Sequence, residues 1–161
     1  MSNWADWHPD FTLSTEPSFS RDFPMLHPGH CVGDVSSATR SYNCFAWAAQ
    51  DNTRCWVPDP WFQYYWPDNV PRTPSIPAFL LAYGTLGYEK CDNGDLEYKV
   101  EKIAIYSLQG VPTHVARQLP NGNWTTKFGG FEDVEHINLD CLTGPKYGET
   151  LDFMKRLRAS E

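Results

Sequence analysis

The sequence predicts an α+β domain, on three observations. Apolar residues recur at helical spacing over 76–86, a period of two governs several short runs between 87 and 127, and the helical segments precede the strands. At 161 residues the chain has room for one domain with a real core. Residues 1–161 therefore read as a single unit, an irregular arm over 1–40 followed by a core over 41–161.

The arm contains Pro9, Pro17, Pro24 and Pro28 among many Ser, Thr and Asp residues, with neither period sustained. In "SYNCFAWAAQ" the composition turns to Ala and aromatics, and Ser41 or Asn43 is placed to cap a short helix whose first turn holds Cys44. "CWVPDPWFQYYWPDNVPR" combines prolines with tryptophans and tyrosines and predicts a rigid aromatic loop. A second helix follows, with Thr73 as cap, Pro74 in the first position and Gly87 as the stop. The runs "GYEKC", "EKIAIYS", "THVARQL" and "NWTTK" are separated by turn sequences and predict an antiparallel meander. In "PNGN" the expectation is a tight turn with Gly122 at positive φ. "FGGFEDVEHINLDCLTG" suggests a short helical turn, and "LDFMKRLRASE" a basic tail.

A formal charge of −7 argues against nucleic acid as a partner. No apolar run approaches the roughly 20 residues of a membrane span, and "MSNWADWHPDF" lacks the pattern of a signal peptide. The expected location is cytoplasmic, or outside the cell by a specialised secretion route. Five cysteines without a CxxC pair predict free thiols in a reducing compartment. "HPGHC" reads as turn chemistry, so neither a metal nor another cofactor is expected.

A thiol at a helix N-terminus gains nucleophilicity as its pKa falls, more so beside an imidazolium. Cys44 has that position, and His114 is the histidine on a predicted strand. The alternation puts His114, Ala116 and Gln118 on one face and Thr113, Val115, Arg117 and Leu119 on the other. With the first face against the Cys44 helix, His114 reaches the thiol; the alternative is that Cys44 is buried packing. Arg117 and Lys127 read as outer-face charges, and His136 as a histidine bonded to a backbone carbonyl, with a substitute for His114 as the alternative.

"HVARQLPNGNWTTK", preceded by "EKIAIYS" and a Cys-bearing helix, resembles the core of NlpC-type peptidases and CHAP-type amidases, which are papain-like thiol hydrolases. The chain is also similar to a bacterial domain family of no assigned activity that carries Asn-Cys-x-Ala-Trp-Ala, Thr-His-Val-Ala-Arg-Gln and Glu-Asp-x-Glu-His motifs. The first resemblance implies a papain-like fold and a cysteine hydrolase acting on an amide or related acyl bond of a protein, peptide or amide substrate. It implies Cys44 as nucleophile, His114 as base, and Glu132, then Asp133, then Thr126 as the group orienting His114. The Cys44 backbone N–H would serve the oxyanion with the Asn43 or Tyr42 side chain, and Trp47 and Trp61 would line the substrate. Two alternatives stand beside it: a deamidase or acyl-transferase effector, and a non-catalytic interaction domain gripping a partner with its aromatic loop.

Overall fold

A computed structural model describes residues 23–36, 41–127 and 133–159. Seven strands are named in chain order: β1 (Cys31–Ser36), β2 (Glu89–Cys91), β3 (Val100–Leu108), β4 (Val111–Gln118), β5 (Trp124–Lys127), β6 (Asp133–His136) and β7 (Glu149–Leu157). They form one sheet in the order β1-β6-β5-β4-β3-β7-β2, with every neighbouring pair antiparallel. Among the described residues two α-helices, α1 (Cys44–Ala48) and α2 (Ile76–Gly84), complete an α+β architecture.

The meander forms because its turns have the right residues. Gln109 and Gly110 both take positive φ, 53° and 81°, and join β3 to β4 tightly, with Leu108 paired to Val111. In "PNGN", Gly122 has φ of 91°, its N–H bonds the Leu119 carbonyl, and Leu119 N donates to Asn123 O at 2.7 Å. The expected hairpin is present.

Both faces of the sheet are covered, by different cores. On one face α1, α2 and Trp56 and Trp66 of the aromatic loop pack over Ile103, Ile105, Val115 and Met154. On the other, Phe23, Leu142 and Tyr147 pack over Ala104, Tyr106, Ala116 and Trp124. With no solvated face, β3 is buried almost from end to end.

Five residues are too few for a helix to persist alone. What holds α1 is Asn43, wholly buried, whose Oδ1 accepts from Ala46 N at 3.0 Å and Trp56 N at 3.1 Å while its Nδ2 donates to Trp56 O at 2.8 Å. One side chain thus caps the helix and ties it to the loop.

Several elements differ from the sequence expectation. Ser75, not Thr73, caps α2; it accepts from Ala78 N, and Pro77 lies in the first turn. Part of the supposedly irregular arm, residues 31–36, is the edge strand β1, while 1–22 and 37–40 lie outside the described residues. The acidic segment supplies strand β6 before a short 3-10 helix (Asp140–Leu142). The basic tail contains most of β7, which runs between β3 and the edge strand β2.

Candidate functional site

Cys44 opens α1 as expected and is 1% exposed, within the core on the helix-covered face. His114 is fully buried on the opposite face. It pairs across the ladder with Tyr106, whose ring it meets edge-on, and stacks on Tyr147 at 4.1 Å with the rings 7° from parallel. Strand alternation explains the separation: Val115 and Arg117 turn toward α1, so His114 and Ala116 turn away. The structure does not bring Cys44 and His114 together, and the backbone of the sheet lies between them.

His114 belongs instead to a buried polar chain. Its Nε2 lies 3.2 Å from Thr126 Oγ1, which lies 2.7 Å from His136 Nε2, and His136 Nδ1 is 2.7 Å from Asn138 O. A carbonyl oxygen only accepts, so His136 carries its proton on Nδ1 and accepts from the Thr126 hydroxyl at Nε2. Thr126 then accepts from His114 Nε2–H. That leaves His114 Nδ1 as a lone pair, buried without a hydrogen-bond partner among the described residues. Burial and then the neighbouring His136 hold the His114 pKa well below the usual range, and burial brings His136 down to about 4.

Of the three expected orienters, Thr126 does contact His114. Asp133 faces the other way: its Oδ2 accepts from Tyr42 Oη at 2.8 Å, beneath α1. Glu132 lies outside the described residues. The remaining candidates are tied into the fold. Asn43 is the cap described above, Tyr42 stacks on Trp47 at 5.5 Å, and Trp47 Nε1 donates to Thr125 Oγ1 at 3.0 Å. Arg117 and Lys127, read as outer-face charges, point inward against the rings of Trp47 and Tyr42.

The cysteine that does stand beside a histidine is Cys141. Its Sγ lies 3.8 Å from His136 Nδ1 and donates to Asn138 O at 3.2 Å. Burial, with Cys31 adding to it, pushes this thiol up to about 11, so the pair rests as neutral thiol and neutral imidazole. The signal in the sequence was the alternation of "DVEH", which puts His136 on the face of Val134 rather than that of Asp133. Among the described residues no group of three or more His, Cys, Asp or Glu is gathered to hold a metal ion, and no helix is long and apolar enough to cross a membrane.

Among the described candidate residues Trp61 is the most exposed. In the aromatic loop Trp56 and Trp66 are core, whereas Trp61 and Phe62 are 64% and 74% exposed. Asp59, almost fully buried, pins them there: its carboxylate accepts from Gln63 N at 2.7 Å, Tyr64 N at 3.1 Å and Arg72 Nη1 at 3.1 Å. The Arg72 guanidinium also lies over the Phe62 ring at 4.1 Å. Phe62 itself sits at φ of 57°, a backbone region costly for a residue with a Cβ.

A family model matches residues 34–155, which include both named α-helices and every strand but the start of β1 and the end of β7. The chain belongs to DUF7689, a domain of unknown function. No curated protein and no solved structure matches it. In this DUF7689 domain, then, the site's chemistry is read from its own geometry.

Proposed function

We propose that this DUF7689 domain is a protein-interaction module whose contact surface is the aromatic loop around Trp61 and Phe62. The carrying observation is the ordered exposure of those two rings. A loop whose aromatics served only the core would turn them inward, as Trp56 and Trp66 are turned; here a buried carboxylate and a guanidinium hold a positive-φ phenylalanine outward instead. Exposed aromatic anchors beside an arginine are the residue types that dominate protein interfaces. The expected partner is a protein with an apolar pocket that receives Trp61.

The test compares affinity capture by the native chain, by Trp61→Ala/Phe62→Ala and by Cys44→Ser. A partner retained by Cys44→Ser and lost by the loop variant supports the reading. Equal capture by all three, or loss confined to Cys44→Ser, contradicts it.

The thiol-hydrolase reading, in its papain-like form, keeps one observation in its favour, the place of Cys44 in the first turn of a capped helix. It would need a base from the helix-covered face, where Asp133, itself one of the expected orienters, and Lys127 are buried ionisable groups against Tyr42. A helix of five residues supplies only a small dipole to the thiol.

A further inference from the structure

We propose that one end of the sheet, on the helix-covered face, binds a small oxyanion, a phosphoryl or carboxylate group, through Arg117 and Tyr88. The ladder brings the cations together. Arg117 on β4 pairs with Ile103 of β3; Glu101 lies two residues back on the same face, opposite Arg156 of β7, and Arg158 follows just past the strand end. Three guanidiniums therefore collect around one carboxylate, in a chain whose overall charge is −7.

Glu101, itself buried, is already engaged. Its Oε1 accepts from Arg156 Nε at 2.6 Å, and its Oε2 accepts from Arg158 Nη1 at 3.3 Å and Gln50 Nε2 at 3.1 Å. Gln50 makes that bond from a left-handed backbone, φ of 62°, just past α1. Arg117, partly buried, feels the charge of Glu101 but does not bond it: its Nε is buried without a hydrogen-bond partner among the described residues, and its guanidinium rests 5.4 Å from the Trp47 ring. Tyr88, 4% exposed, likewise has a buried hydroxyl without a hydrogen-bond partner among the described residues, and burial followed by the charge of Glu101 pushes its pKa up to about 12, so it remains a donor.

A buried guanidinium N–H and a buried hydroxyl left without acceptors are costly, and a bound anion relieves both at once. Arg156 and Arg158, with side chains 22% and 25% exposed, open the cluster to solvent. Guanidinium and phenol donors suit oxygen acceptors, and the positive excess suits negative charge.

Thermal unfolding of the full chain in inorganic phosphate and in acetate, each against sodium chloride at matched ionic strength, tests the site. A saturable rise in Tm with either salt, beyond that in chloride, is expected, and the more effective salt identifies the source of the oxyanion. Arg117→Gln should weaken the half-saturating concentration by about tenfold and Tyr88→Phe, which removes only the hydroxyl, by about fivefold. A rise that chloride reproduces, or saturation unchanged in both variants, overturns the proposal. Should Arg117→Gln not fold, unchanged saturation in Tyr88→Phe is sufficient to overturn it.

Discussion

Thr126 has one hydroxyl proton and two histidine neighbours, so a single side chain satisfies a donor on His114 and an acceptor on His136. Replacing it with valine keeps the shape and leaves both ring nitrogens unpaired in the core. Thr126→Val should therefore cost about 2–4 kcal/mol, one to two for each stranded group, read as a lower midpoint in urea unfolding. The same pair sets a pH dependence. Both imidazoles are held below their ordinary pKa, so the unfolded chain binds protons that the fold refuses. Stability is then complete above about pH 6.5, the ordinary histidine value, and falls as the pH drops toward about 4, where His136 titrates in the fold. From His136 alone the loss over that window is on the order of 3 kcal/mol. Unfolding followed by fluorescence between pH 4 and 8 should show this slope; a flat profile across the window would contradict the neutral, buried pair.

At the level of elements, α1 depends on Asn43 more than on its own sequence. Asn43→Ala removes a helix cap, for which about 1 kcal/mol is usual, and also two bonds to the Trp56 backbone that tether the aromatic loop. A loss of about 3 kcal/mol is expected, and a loss no larger than that of an ordinary cap would show that the tether contributes nothing. This cap was legible in the sequence, as were α2, the turns at "LQGVP" and "PNGN" and the meander between them, because each rests on local residue chemistry. Strands β1, β6 and β7 were not. Lys155, Arg156 and Arg158 disguise β7 as a basic tail, whereas its position in the sheet comes from pairing with β3, some fifty residues away. The face of His114 was hidden for a related reason. Alternation sorts β4 into two sets, but a sheet buried on both sides carries no polar set to mark which one meets the helix.

For the molecule as a whole, the sheet acts as a partition. One side holds Cys44, the aromatic loop and the arginine cluster; the other holds the His114–Thr126–His136 chain and Cys141. The motifs that resemble a thiol hydrolase are thus present along the chain and divided in space, while Trp61 and Phe62 of the aromatic loop face solvent. Mapping iodoacetamide adducts at neutral pH over time tests this arrangement most directly, since it ranks all five thiols in one experiment. The partition predicts that exposed Cys31 reacts first, half-buried Cys55 and Cys91 next, and buried Cys44 and Cys141 last, with His114→Ala leaving the Cys44 rate unchanged while the chain stays folded. Cys44 reacting well ahead of the others, and slowing in His114→Ala, would contradict it.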